Sequence, residues 1–527
     1  MVQGSGVAAP LVGDVLTRAY RQFADRPAVG DDRVRLSYRE LGDRARRVAG
    51  GLAELGCVPG DRVAFISPNR VEYFEADHAC LMGGFARLSP ITRLHPLEIR
   101  AILQDAEPRV AVVESGWLRS AGTDWLPPGV EHVVEFGHRD GTLADILDGS
   151  DVFEPVRPDP DTIVGLSYTS GSTGKPKGVV WTQRCIGATV RNIAAEMGNM
   201  TGEDVAIHTA PLSHFSGAIG LALFSIGATN LVRAEFDLEA LVAALDAGEV
   251  SVLPLVPTQI NRLVEELGRR IEQSSPVDVS RLRLLPYAGS AIPPDRLAAA
   301  QRVLGSVLLQ FYGSTEAPMP ITALSPDDHV AALTPERSKL LASAGLPSPY
   351  VEMLVRDDDG RPVPDGETGE IVVRGPHVMP EYWRNRAETE ATLDADGWCR
   401  TGDLGFVDGE GYLFIVDRKK DMIVTGGFNV YPREVESALS PLAGVREVAV
   451  VGAPSERWGE EVVAVVEPHD GETLTEEQVI AHCRAHIAGY KVPKRVVFVD
   501  ELPRSGNGKV MKVKLKDRFW EGRTRRV

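Results

Sequence analysis

The sequence predicts a large N-terminal α/β domain of layered sheets and helices, with a β-rich subdomain, followed by a small α+β C-terminal domain. Three observations carry that prediction. Helical periodicity alternates with short apolar runs up to about Gly345. After Gly345 strand-like runs separated by turn residues take over. From about Arg418 the rhythm changes again, to strands interleaved with a helix. Alternating helix and strand is the pattern of parallel sheets covered by helices, whereas successive strands build antiparallel layers. At 527 residues the chain is also too long for one hydrophobic core. The boundary is drawn at Arg418, giving a large domain over 1–417 and a small one over 418–527.

Ser37 to Leu55 reads as an amphipathic helix, with Leu41, Ala45, Val48, Leu52 and Leu55 at helical spacing. Ser37 and Glu40 have the spacing of a capping box. Pro59-Gly60 ends the helix and Arg62 to Ile66 follows as a strand. The rhythm repeats at Leu238–Ala247 with Val250–Val256, and at Asp295–Leu304 with Val307–Phe311. In the β-rich stretch, strands are predicted at Val351–Val355 and Gly369–Val373, with Asp357-Asp358-Asp359-Gly360 as a turn between them. In the last domain Arg446–Gly452 and Glu461–Glu467 read as paired strands. Thr475–Ile487 reads as a helix and Arg495–Val499 as a strand.

Composition narrows the function classes. The net charge is −17, which argues against general binding to nucleic acid or to an anionic membrane. Any phosphate site must therefore be positive locally. The longest apolar stretch, Ala218 to Val232, is too short to span a bilayer and is expected in the core. Met1 to Pro10 shows no basic region ahead of an apolar core, so no leader peptide is expected. Cys57, Cys80, Cys185, Cys399 and Cys483 are scattered and form no CxxC pair, which predicts reduced thiols and a cytoplasmic protein. The tail Arg523-Thr524-Arg525-Arg526 is expected to be solvated.

The run Thr169-Ser170-Gly171-Ser172-Thr173-Gly174-Lys175-Pro176-Lys177-Gly178 suits an anion. Small residues let backbone N–H groups approach phosphate, and hydroxyls and lysines add donors and charge. It is not a P-loop: only Ser172 and Thr173 separate Gly171 from Gly174, and Pro176 stands where the magnesium-binding hydroxyl belongs. Thr162–Tyr168 and Gly178–Thr182 both read as strands, so the run is a flap between strands, not a helix N-terminus.

Seven ordered segments, YTSGSTGKPKGVV, PLSHFSG, YAGSAIP, FYGSTEA, GWCRTGDLG, VDRKKDMIVTGGFNVYPREVE and LPRSGNGKV, run over nearly the whole chain. With them the sequence resembles the adenylate-forming superfamily of acyl-CoA synthetases, aryl-CoA ligases, adenylation domains and luciferases. The resemblance implies ATP and Mg2+ as requirements and CoA as the acceptor. It implies that Tyr312 stacks on adenine, Thr315 contacts the α-phosphate and Glu316 helps bind magnesium, with Gly313 and Ser314 in the same nucleotide-binding turn. It implies that Asp403 accepts both ribose hydroxyls, that Arg418 adds a ribose contact, and that Gly289, Ser290 and Ala291 border adenine and the acyl group. Lys509, on Gly506-Asn507-Gly508, is implied to reach the acid's carboxylate and the α-phosphate. A donor there stabilises the charge that builds as pyrophosphate leaves. Lys420 aligns with a hinge about which the small domain turns between half-reactions. Gly426 and Gly427 would then face the cleft and leave room for a pantetheine arm.

The acid is less legible. His214 lies between the implied acyl pocket and the thiol route, and the pocket is expected to include Phe215, Thr258, Ala291, Gly313, Pro318 and Met319. The Pro211–Gly217 segment has no Asp to pair with a substrate ammonium, which points to an acid lacking an α-amino group. An aryl or short-to-medium acid is favoured over a long-chain one. A carrier protein, an amine or another small nucleophile stays open as acceptor. A nucleotide-binding phosphohydrolase or sensor is the competing class, and a monomer or homodimer is expected. No metal-ligand cluster, nucleophile elbow or GxGxxG is evident, which fits catalysis by positioning and electrostatics.

Overall fold

The computed structural model describes residues 11–122, 124–137, 143, 153, 159–170, 176–425, 428–455, 457–469, 471–505 and 509–521. The tip of the flap at 171–175, Gly426, Gly427 and the tail at 523–526 lie outside them.

Three sheets with parallel strand pairs carry the α/β part of the large domain. The first orders its strands His132–Phe136, Val110–Glu114, Arg62–Ile66, Ala86–Leu88, Ile163–Ser170 and Pro176–Thr182. All neighbours are parallel except the last two, which form the antiparallel arms of the flap as expected. In the second sheet Val205–His208, Thr229–Val232 and Pro27–Gly30 run parallel, with Arg35–Ser37 as an antiparallel edge. The third sheet pairs Leu285–Tyr287 with Leu308–Tyr312 in parallel, with Thr322–Leu324 and Leu346–Pro347 antiparallel beyond.

The expected strand at Val250–Val256 is present only as isolated bridges, Val252 to Ala206 and Leu284, and Leu255 to Tyr287. Pro254 explains the break. It has no N–H to donate, so the ladder is interrupted between Leu253, which donates to Leu284 O, and Leu255, which donates to Pro286 O.

Local sequence explains the other elements. The helix Tyr38–Glu54 begins on the predicted capping box, with Ser37 and Glu40 exchanging bonds. It buries Leu41, Ala45, Val48 and Leu52. The Ala218–Val232 stretch is buried, as the end of the helix Phe215–Phe224 and the strand Thr229–Val232. Phe224 meets Tyr38, Phe74 and His78 edge-on in the core. Among the described residues no helix is long and apolar enough to cross a membrane.

The β-rich stretch is an antiparallel sheet of Glu352–Arg356, Gly369–Arg374, Cys399–Val407 and Leu413–Arg418. Its turn closes through Gly360 N–H to Asp357 O, with Gly360 at φ 80°. After Arg418 the chain builds another sheet, Phe428–Val430, Ile423–Thr425, Gly459–Pro468 and Val445–Ser455, all antiparallel, with Arg495–Phe498 parallel to Gly459–Pro468. The helices Pro432–Leu439 and Glu476–His486 cover a core of its own, around Ile423, Val435, Val450, Val466, Val479 and Cys483.

Candidate active site

The turn Gly313–Ala317 follows the strand Leu308–Tyr312 and is fixed from several sides. Ser314 N–H donates to Ala317 O, and Ala317 N–H donates back to Ser314 Oγ, each at 3.0 Å. Met379 N–H donates to Glu316 O at 2.8 Å. Gly313 is required by a close approach: a Cβ there would lie 2.7 Å from the backbone of Met319. Met319 packs against the large core, and Pro318 is buried beside it.

The base of the flap is tied to this turn. Trp181 Nε1–H, on the second arm, donates to Thr315 O at 3.0 Å. Lys177 pairs with Glu388 at 2.5 Å, and its ammonium stands 5.5 Å from the centre of the Tyr382 ring. Tyr382 O–H donates to Glu316 Oε1 at 2.8 Å. Burial, and then Glu316, raise the Tyr382 hydroxyl pKa, so it remains a donor.

Asp403 sits on the strand Cys399–Val407, opposite Arg418 on Leu413–Arg418. Its carboxylate is buried and holds two partners: Tyr312 O–H at 2.7 Å and Arg418 Nε at 3.2 Å. Tyr312, Asp403 and Arg418 thus form one cluster from three strands.

Lys509 arrives from the far end of the chain. Its carbonyl accepts from Ser505 N–H at 2.7 Å, and its N–H donates to Ser505 Oγ at 3.2 Å, which ties the lysine backbone to Ser505. The side chain passes Gly289, where a Cβ would lie 3.7 Å from Lys509 Cε. Gly289 has φ +102°, which a side chain would strain. Lys509 is exposed as a residue, while its ammonium end has neighbours enough to desolvate it. Desolvation and then Arg418 lower its pKa, while Asp403 and Glu316 pull the other way.

His214 caps the start of the helix Phe215–Phe224 and shares a 2.7 Å hydrogen bond with Ser213 Oγ through Nδ1. Burial first, then Lys509 and Arg87, push its pKa down to about 4, so the ring is neutral at neutral pH. Phe215 is buried in the main core. Thr258 is exposed at the head of the helix Pro257–Glu272, and Ser290 and Ala291 are exposed beside Gly289.

The structure therefore brings Glu316, Asp403, Arg418, Lys509, Gly289 and His214 into one neighbourhood. Lys420 is exposed in the turn beyond Arg418, where the amides of Asp421 and Met422 both return to Arg418 O. Two residues missed in the sequence touch the site. Tyr382, 66 positions from Glu316, and Trp181 are aromatic residues in segments without a diagnostic pattern. Gln183 is a buried structural donor to Leu81 O at 2.6 Å.

The fold, a large α/β domain with a small C-terminal one, is that of adenylate-forming enzymes. The chain belongs to the AMP-binding enzyme family: that family matches residues 16–383, and the AMP-binding enzyme C-terminal domain matches residues 434–509. Similar curated proteins include a feruloyl-CoA synthase from Amycolatopsis sp, 36% identical, spanning 96% of this chain and 99% of that one. An indoleacetate–CoA ligase from Aromatoleum aromaticum is 37% identical, spanning 90% of this chain and 92% of the relative. Among solved structures, an amide bond synthetase from Marinactinospora thermotolerans is 31% identical with a TM-score of 0.85, covering 97% of this chain and 100% of that one.

Proposed function

We propose that this enzyme uses ATP to convert a carboxylic acid to an acyl-adenylate and then transfers the acyl group to CoA. The observation that carries the reading is the convergence of Lys509 on Glu316, Asp403 and Arg418. A phosphohydrolase needs an activated water, whereas here the cleft offers a cation beside a cluster fitted to a nucleoside.

In the first step the acid's oxygen attacks the α-phosphorus, and the bond to the β-phosphate oxygen breaks to release pyrophosphate. Lys509 donates to the oxygens that gain charge. Tyr312, Asp403 and Arg418 hold the nucleoside, with Asp403 accepting from the ribose hydroxyls. Thr169–Lys177 covers the β- and γ-phosphates, and Lys177 exchanges Glu388 for phosphate. In the second step the thiolate attacks the acyl carbonyl and AMP leaves. Lys420 is the pivot that withdraws Lys509, after which Gly426 and Gly427 line the thiol's route.

Magnesium fits this donor set. Among the described residues no cluster of three or more metal-ligating side chains occurs, and Glu316 is a single half-buried carboxylate held by Tyr382. That suits a hard cation held by one carboxylate and substrate phosphates. When bound, the ion neutralises charge on the triphosphate, while Tyr382 keeps Glu316 oriented from behind.

The acid lacks an α-amino group and is aryl or short-to-medium in length. The Pro211–Gly217 wall carries no carboxylate, and Pro318-Met319 narrows the pocket. The likeness to an amide bond synthetase favours an amine as the second candidate acceptor. All five cysteines are free and buried, which supports a reducing compartment such as the cytoplasm. One chain supplies the whole cleft, so a monomer suffices, and light scattering separates that from a homodimer. The central test is acid-dependent exchange of labelled pyrophosphate into ATP across an acid panel, then product analysis with CoA or an amine. ADP formation, or exchange with no acid, would overturn the reading.

A further inference from the structure

The segment Met379-Pro380-Glu381-Tyr382-Trp383 lies between the strand Gly369–Arg374 and the helix Arg386–Thr392, and runs along the second arm of the flap. Val180 N–H donates to Glu381 O at 3.1 Å and Trp383 N–H to Gly178 O at 2.7 Å, with Val179 and Tyr382 bridged in antiparallel register between them. Val179, Met379 and Tyr382 share a buried apolar cluster. The first arm is reached through Asp105: its carbonyl accepts from Trp383 Nε1–H at 3.1 Å, and its carboxylate accepts from Tyr168 O–H at 2.5 Å. The approach is close at Gly178, where a Cβ would lie 2.9 Å from the Tyr168 ring and 3.1 Å from Trp383 Cβ. The segment and the base of the flap therefore pack as one unit.

The same unit holds Glu316. Met379 N–H donates to Glu316 O and Tyr382 O–H donates to Glu316 Oε1, each at 2.8 Å. The Tyr382 ring meets the flap's cation, its centre 5.5 Å from Lys177 Nζ, close enough for cation–π attraction. Tyr382 is 6% exposed, and its backbone N–H is fixed by Thr389 Oγ1 at 3.0 Å. A buried side chain held at its backbone, its ring and its hydroxyl does not shift for one partner without shifting for the other. On the proposed reading those partners, Lys177 and Glu316, serve a single ligand, the triphosphate with its magnesium ion.

We propose that the segment 379–383 couples triphosphate capture by the flap to magnesium binding at Glu316, with Tyr382 as the positioning residue. Its hydroxyl sets the direction of the Glu316 carboxylate, and its ring sets where Lys177 stands. The effect is reciprocal: metal at Glu316 strengthens the hold of Lys177 on the triphosphate, and the triphosphate strengthens the hold on the metal by the same factor. This deepens the proposed function, on which it rests. It gives the enzyme a way to hold ATP and release AMP, because AMP has no β- or γ-phosphate for the flap.

The test reads binding and not turnover. Full-length enzyme is titrated with Mn2+, counted by electron paramagnetic resonance, in the presence of the α,β-methylene analogue of ATP. Tyr382→Phe, which keeps the ring and removes the hydroxyl, should raise the half-saturating Mn2+ concentration roughly 10-fold, the scale for losing a partner of a metal-binding carboxylate. AMP binding with metal chelated should stay within about 2-fold, as should the thermal midpoint's implied stability on the scale of a neutral surface change. The analogue is then titrated by calorimetry with and without Mn2+. Lys177→Met should weaken binding more with Mn2+ than without it, and Tyr382→Phe should shrink that difference by about 3-fold or more, the signature of coupled sites. An unchanged difference would mean that the metal–nucleotide complex alone carries the linkage, and the proposal fails. Loss of AMP binding in step with the analogue would mark Tyr382 as merely structural and also overturn it. Should Tyr382→Phe not fold, Thr389→Val, which releases the Tyr382 backbone, decides by the same measurements. Failure of acid-dependent pyrophosphate exchange in the wild type would sink the proposed function itself, a separate outcome.

Discussion

On the proposed reading, replacing Lys509 by Ala removes the charged donor for adenylation, and the neighbouring cations are already paired. Arg418 is committed to Asp403 at 3.2 Å, and Lys177 to Glu388 at 2.5 Å. Backbone at Gly289 passes the lysine side chain without filling its space. Loss of one well-aimed donor costs about 2.7–4 kcal/mol in the transition state, or roughly 100- to 1000-fold in rate. Adenylation by Lys509→Ala should fall by that factor, measured as pyrophosphate exchange. Transfer from a pre-made acyl-adenylate to CoA should stay near the wild-type rate, because Lys509 has withdrawn by then. The wild-type pH profile carries the same signature. The ammonium's pKa is lowered, so adenylation should decline as pH rises through a value below the ordinary lysine pKa of about 10.4. Equal losses in both half-reactions would refute the assignment.

Removing Lys509 also removes one of the charges that depress His214, so the His214 pKa should rise above about 4 in Lys509→Ala, read by imidazole NMR; no movement would separate the two residues. Gly313→Ala would put a Cβ 2.7 Å from Met319 backbone, which should destabilise the large domain by about 1–3 kcal/mol in denaturant titration and slow adenylation; wild-type stability would contradict the close approach. Lys420→Pro fixes φ in the turn after Arg418 and should slow acyl transfer more than adenylation in rapid-quench kinetics. Full turnover in that variant would exclude a hinge there.

Much of the fold was legible because local chemistry and tertiary structure agree. Ser37 and Glu40 announce the start of their helix, and Arg62–Ile66 stands as a strand with the bounds its pattern predicts. The flap's arms were readable because apolar strands flank a glycine-rich turn. Agreement ends where burial is complete. The helix Val71–Gly83 is buried on every face, so it shows no amphipathic stripe, and it carries Glu72, Glu75, Asp77 and His78 inside the protein. Their partners lie outside the helix, most of them far away in sequence: Glu72 pairs with Arg33 as well as the adjacent Arg70, Glu75 with Arg44, Asp77 with Arg87 and His78 with Tyr20. Tyr382 on Glu316 was unreadable for the same reason. A single side chain meeting another across two sheets leaves no periodicity. The proposed nucleotide residues were legible only through ordered motifs, since Asp403 or Lys509 alone is an ordinary turn or tail residue.

Asp403 already holds two partners from its own protein, Tyr312 on one oxygen and Arg418 on the other. A carboxylate has about four lone-pair sites, so each oxygen keeps one for a further donor. On the proposed reading, ribose hydroxyls would therefore meet a carboxylate whose orientation is fixed before they arrive, and the ordering cost of that contact would fall on the folding of the chain and not on nucleotide binding.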